Sequence, residues 1–133
     1  MKDLEISCLI SGKETDGKVA VFEEIVAPGT GPPLHTHRHQ TEVFHIMEGL
    51  FRFQVDGKQF ELGSGDSAVV PEGVVHAFRN IGETPACIHF ELIPALEAEE
   101  SFRRLSEESD AITDVAAFFD EYGMDLKGPP LSE

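Results

Sequence analysis

His35 and His37 stand two residues apart, Glu42 follows after a short polar stretch, and His76 comes directly after Pro71-Glu72-Gly73. Residues two apart on an extended strand project to one face, so both imidazoles of the first pair point the same way. In Glu42-Val43-Phe44-His45-Ile46-Met47 the alternation puts Glu42 on one face with Phe44 and Ile46, and Val43, His45 and Met47 on the other. A carboxylate among apolar neighbours suits a pocket wall, where it needs a compensating charge. Three neutral imidazoles and one carboxylate form a borderline-hard N/O donor set. The expectation is therefore one divalent transition metal per chain, Fe, Mn, Ni, Co, Cu or Zn, held by His35, His37, Glu42 and His76. The cation would supply the charge that makes a buried Glu42 tolerable.

The elements that must position this set read as short strands. Leu4–Ile10, Lys18–Val26, Glu42–Met47, Leu50–Val55, Asp66–Val70, Val74–Arg79 and Ala86–Ile93 are rich in Val, Ile and Phe. Turn signals separate them, among them Thr15-Asp16-Gly17, Asp56-Gly57 and Gly63-Ser64-Gly65. Many short strands with no helical period between them indicate an antiparallel sandwich or barrel, an all-β fold. After Pro94 the pattern changes. Glu97–Glu108 sets Ala98, Phe102 and Leu105 on one side, and Ile112, Val115, Ala116 and Phe119 form a second stripe. Ser109 or Asp110 could cap the second helix and Gly123 could end it, with Gly128-Pro129-Pro130 terminating regular structure. The reading is one domain, a barrel over residues 1–95 and a helical appendage over 96–133. Both helices are too short to stand alone and are expected on the barrel's outside.

Composition narrows the partners. The net charge is −15, and from Glu97 to Asp125 ten carboxylates face only Arg103 and Arg104. Such a surface repels phosphate backbones and anionic headgroups, so neither nucleic acid nor membrane is an expected partner. The N-terminal MKDLEISCLI lacks signal-peptide character, no apolar run could span a bilayer, and the location expected is cytoplasmic. Cys8 and Cys87 lie in apolar runs without metal-site spacing and are expected as buried, reduced thiols. Phe44, Ile46, Phe53 and Phe78 are the candidate lining of a substrate pocket. His39 reads as a turn or rim residue, and His45 faces away from Glu42. His89 and Glu91 share a face of a late strand whose inward side the alternation does not assign. Arg52 and Arg79 read as solvated strand arginines. An exposed edge strand at Leu4–Ile10, with Val43, His45 and Met47, suggests a homodimer.

The spacing of these residues resembles the cupin superfamily, whose two motifs are G-x5-H-x-H-x3-4-E-x6-G and G-x5-P-x-G-x2-H-x3-N. Here they run Gly29, His35, His37, Glu42, Gly49 and Gly65, Pro71, Gly73, His76, Asn80. The resemblance covers residues 29 to 80 and implies a double-stranded β-helix, or jelly-roll, barrel with C-terminal helices. It also implies the metal-ligand role of His35, His37, Glu42 and His76. The spacer Leu50–Ser64 is similar to that of compact bacterial members, and the acidic tail is loosely similar to small quercetin-dioxygenase-like cupins. That likeness implies a metal-dependent dioxygenase acting on a small chelating enol, phenol or diketone. Two other readings stand beside it: a sugar or keto-acid isomerase or lyase using Zn or Mn, and a non-enzymatic small-molecule binding or sensing barrel. The fold hosts all three.

Overall fold

The computed structural model describes residues 4–132. Ten strands and two helices follow in the order β1 (Glu5–Ile10), β2 (Ala20–Val26), β3 (Pro33–His37), β4 (Thr41–Glu48), β5 (Leu50–Val55), β6 (Lys58–Gly63), β7 (Ser67–Val70), β8 (His76–Asn80), β9 (Ala86–Ile93), α1 (Ala98–Glu107), α2 (Val115–Glu121) and β10 (Met124–Pro130). The strands form two antiparallel sheets, ordered β1-β2-β9-β4-β7 and β10-β3-β8-β5-β6. Period-two alternation drives this closure: along β2 Ala20, Phe22, Glu24 and Val26 are buried while the residues between them are half-exposed. Phe22, Phe44, Phe51, Phe53 and Phe90, each at most 1% exposed, fill the space between the sheets. Burying one such side chain is worth roughly 1.5–3 kcal/mol, so these rings dominate the apolar stabilisation.

Two strands go beyond the sequence reading. β6 returns from β5 through Asp56 and Gly57, both at positive φ (52° and 80°), which is the geometry of a tight hairpin. It is an edge strand, and the polar Lys58, Gln59 and Glu61 hide its strand character. β10 runs through Gly128-Pro129-Pro130, where an end to regular structure was expected. Proline lacks an N–H to donate, which an edge strand tolerates, and β10 is the edge beside β3.

The tail also sits elsewhere than expected. Phe102 on α1 packs 4.9 Å from Phe22 and 5.1 Å from Phe90, centroid to centroid, and Phe119 on α2 lies 5.8 Å from the His35 ring. The helices therefore close over an opening of the barrel, not its outer face, because the inward-facing Phe22 and Phe90 offer the apolar partner their stripes need. Through β10 the tail is part of the barrel wall as well as a helical appendage. α2 is capped by Asp114, whose carboxylate accepts from the Ala117 amide at 3.0 Å, while Ser109 and Asp110 belong to a short preceding turn. Arg38 holds the tail down by ion pairs with Asp120 and Asp125. Arg52 and Arg79 donate to the carbonyls of Ser132 and Leu131, so both strand arginines grip the C-terminal segment.

Cys8 is exposed and Cys87 half-buried, in contrast to the burial expected, and both are free thiols on strands separated by β2. No described helix is long and apolar enough to cross a membrane.

Candidate metal centre

β3 and β8 lie side by side with His35 opposite His76 in register, and His37 follows one strand repeat along β3. Glu42 comes from β4 in the facing sheet. The four side chains thus bridge the sheets, and each offers one donor atom within 4.8 Å of the others. All are buried, with His35 at 8%, His37 at 5%, Glu42 at 4% and His76 at 1% exposure. The loop into β3 approaches β8 closely, since a Cβ on Gly31 would overlap the Phe78 carbonyl oxygen. Only glycine permits that approach.

The hydrogen bonds orient the rings. His35 Nδ1 donates to the Pro33 carbonyl at 2.7 Å and His76 Nδ1 to the Val74 carbonyl at 3.0 Å. A carbonyl only accepts, so in each ring Nδ1 carries the hydrogen, and a neutral ring turns the Nε2 lone pair inward. His76 Nε2 then lies 3.0 Å from Glu42 Oε1. A lone pair facing a carboxylate lone pair is favourable only with a cation between them, a proton or a metal ion. His37 Nε2 is 3.2 Å from the same oxygen, and its Nδ1 is buried with no partner among the described residues.

Electrostatics point the same way. Burial alone raises the Glu42 pKa, but the charge and hydrogen bonds of His37 and His76 outweigh it and hold the carboxyl well below its usual range. For His35, burial and then the neighbouring His76 and His37 push the pKa well below its ordinary value. An ionised Glu42 and a neutral His35 are states that metal ligation requires, and a divalent cation would supply to Glu42 the positive charge that His37 and His76 otherwise provide. The donor set fits a divalent transition metal.

The centre opens into a cavity of about 540 Å³. Phe44, Phe78, Phe90, Phe102 and Phe119 line it, and no lysine or arginine does among the described residues. Of the pocket residues expected from sequence, Phe44 and Phe78 face this space. Ile46 and Phe53 do not, because inward-facing differs from cavity-facing. Both are packed in the core at 2% and 0% exposure, and the Phe53 ring is enclosed by Phe44, Phe60 and Phe78 at 5.2, 5.9 and 5.6 Å. His39 is exposed in the turn before β4. His45 and His89 lie on the outer side of the β1-containing sheet, 2.9 Å from Glu91 and Glu23 respectively. Glu23, Cys87 and His89 bring three donor atoms together there, half-buried.

The sequence reading missed Glu24, Phe90, Phe102 and Phe119 on the cavity wall. Glu24 was accessible to it: Phe22-Glu23-Glu24-Ile25-Val26 places a carboxylate between two apolar residues of one face, the same signal that marked Glu42.

Known proteins share this architecture. The chain is 31% identical over 90 residues to the polyketide synthase CurC of Streptomyces cyaneus, covering 68% of this chain but only 58% of that protein. It is 28% identical over 83 residues to an oxalate-binding protein of Thermotoga maritima, covering 62% of this chain and 69% of that one. A crystal structure described as a predicted oxalate decarboxylase from Thermotoga maritima superposes with a TM-score of 0.66 at 25% identity, over 68% of this chain and 80% of that chain. The sequence profile of the cupin domain family matches residues 22–92, more than half of the chain. With the double-sheet barrel and the buried His/Glu cluster between its sheets, the chain belongs to the cupin domain family.

Proposed function

We propose that this cupin holds one divalent transition metal with His35, His37, Glu42 and His76 and acts as a dioxygenase on a small chelating enol, phenol or diketone. The observation that carries the reading is the placement of a three-imidazole, one-carboxylate set at the wall of a cavity lined by five phenylalanines. A bound metal would act as Lewis acid toward paired substrate oxygens and, if redox-active, would give dioxygen a route to them. The protein's part is to bind and orient. Aromatic walls take a flat conjugated ligand by stacking and edge contacts. Phe119, 4% exposed against His35, keeps water from that side of the site. The reaction balances without a reductant: both dioxygen atoms enter the substrate, a carbon–carbon bond breaks, and dioxygen is the oxidant.

Cavity chemistry separates this reading from its rivals. A sugar phosphate would need countercharge, and no described lysine or arginine lines the space. Oxalate, in the name of one relative, is small and dianionic, whereas this cavity is large and aromatic. A polyketide chain, in the name of another, is a run of enolisable dicarbonyls and therefore a chelator of the class proposed. Two free thiols suit a reducing compartment, and the cytoplasm is the proposed location.

Oxygen uptake tests the activity. Protein loaded with Fe(II), Mn(II), Ni(II), Co(II), Cu(II) or Zn(II) is given acetylacetone or 3-hydroxyflavone in an oxygen electrode. One dioxygen consumed per probe molecule with a redox-active metal, and none with zinc, is the expected result. Turnover on zinc without oxygen uptake would replace this reading with an isomerase or lyase. Binding without turnover on any metal would leave a sensing or storage barrel.

The proposal includes a homodimer through β1, an edge strand exposing Leu9 and Ile10. Sedimentation at micromolar concentration should show twice the 14.6 kDa chain mass. A single species at the chain mass would reject it.

A further inference from the structure

Glu24 lies on the inner face of β2, 8% exposed, between the buried Phe22 and Val26. Its register partners are Ile6 on β1 and Ile88 on β9, both apolar. Among the described residues its carboxyl makes no hydrogen bond and no ion pair. Buried polar groups are nearly always paired, and an unpaired one costs stability that a leucine at the same position would not. Glu24 also lines the cavity. A carboxyl with no protein partner among the described residues, open to a cavity lined mainly by apolar and aromatic side chains, is a group that a ligand can reach.

We propose that Glu24 is a ligand-positioning residue, whose carboxyl hydrogen-bonds a hydroxyl or carbonyl of an aromatic ligand other than the chelating oxygens held by His35, His37, Glu42 and His76. The inference rests on the chelating-ligand reading above and adds to it a second polar group on the substrate. The shape of the site agrees: aromatic rings line the cavity that Glu24 shares with His35, His37 and Glu42. Besides Glu24, the ionisable groups on the wall are Glu5, His35, His37 and Glu42. Burial, and then the negative charge of Glu42, push the Glu24 carboxyl up to about 8. At neutral pH it therefore keeps its proton and can both donate and accept. A positively charged group on the ligand is not required.

Zinc-loaded, full-length protein provides the test, because zinc is redox-silent and binding is read without turnover. Fluorescence titration compares 3-hydroxyflavone, which carries the chelating pair, with its 7-hydroxy and 4′-hydroxy derivatives. In the wild type at least one derivative should bind about tenfold tighter than the parent, the value of one good buried hydrogen bond. Glu24→Gln keeps a donor and an acceptor in the same shape and should retain most of that gain. Glu24→Leu should abolish the gain, so that the hydroxylated derivatives bind within about twofold of the parent, and Glu24→Met is a second apolar variant should the branched side chain disturb folding. A gain that survives in both apolar variants, or no gain from any hydroxyl in the wild type, would overturn the role of Glu24 while leaving the chelating-ligand reading intact. Failure of the parent compound to bind the zinc protein would overturn both.

Discussion

Inside the barrel, Glu42 Oε1 lies 3.0 Å from His76 Nε2 and 3.2 Å from His37 Nε2; on the outer face of the same sheet, Glu23 lies 2.9 Å from His89 and Glu91 lies 2.9 Å from His45. Residue types are the same, and the distances agree to within 0.3 Å. Exposure is not: the inner side chains are 1–5% exposed, the outer ones 25–44%. Outside, water competes for every donor and screens each charge, so such pairs contribute little. Inside, no solvent compensates a charge, and losing one partner strands the other. The inner set also draws on both sheets, which lets its donors converge on a point. Convergence and burial, more than residue identity, distinguish a site from a surface.

Apolar substitutions should show the largest contrast. Phe90→Ala, on the inner face of β9, should cost about 3–5 kcal/mol in denaturant unfolding. Val69→Ala, 57% exposed on the outer side, should stay within about 0.5 kcal/mol. Equal effects would show that the barrel wall is not packed as described.

The pH response comes next. The Glu24 carboxyl titrates near 8 in the folded chain against an ordinary 4.5, so the folded state keeps a proton that the unfolded state releases. Its contribution is full below about pH 4.5 and is lost as pH rises through about 8. Metal-free wild type should lose on the order of 3 kcal/mol between pH 5.5 and pH 8 relative to Glu24→Gln, with the two proteins converging at the acid end. Glu42 works in the opposite sense: its depressed pKa gives stability present above the ordinary carboxylate range and lost as pH falls through the folded value. A parallel pH profile for wild type and Glu24→Gln would show that Glu24 is solvated.

Metal affinity separates the faces by a similar margin. His76→Ala should weaken zinc binding by about 100-fold or more in competition with a chromophoric chelator, since even groups behind the ligands cost 10–100-fold. His89→Ala should leave it within about twofold, because that ring faces away from the centre. The smallest effect belongs to the outer pairs alone: His45→Ala should change stability by no more than about 1 kcal/mol.

The four candidate ligands were legible because their signal is local. Strand period aligns His35 with His37, a turn delivers His76, and Glu42 stands out against Phe44 and Ile46. Glu24 carries the same period-two signal but belongs to no motif, so nothing drew attention to it. The tail was legible as two amphipathic stripes, yet a stripe states only that a partner exists. That Phe102 meets Phe22 and Phe119 meets His35 are contacts across most of the chain. Ile46 and Phe53 show the converse limit, since alternation assigns a face but not the depth at which core gives way to cavity. β6 and β10 escaped because edge strands accept the polar residues and prolines that disqualify a central one.

Anomalous diffraction from crystals grown with one equivalent of zinc tests the central claim most directly. The account requires a single peak between the sheets, about 2.0–2.2 Å from a nitrogen of His35, His37 and His76 and from a Glu42 oxygen. A peak at Glu23, Cys87 and His89 instead, with the four inner side chains turned apart, would contradict it.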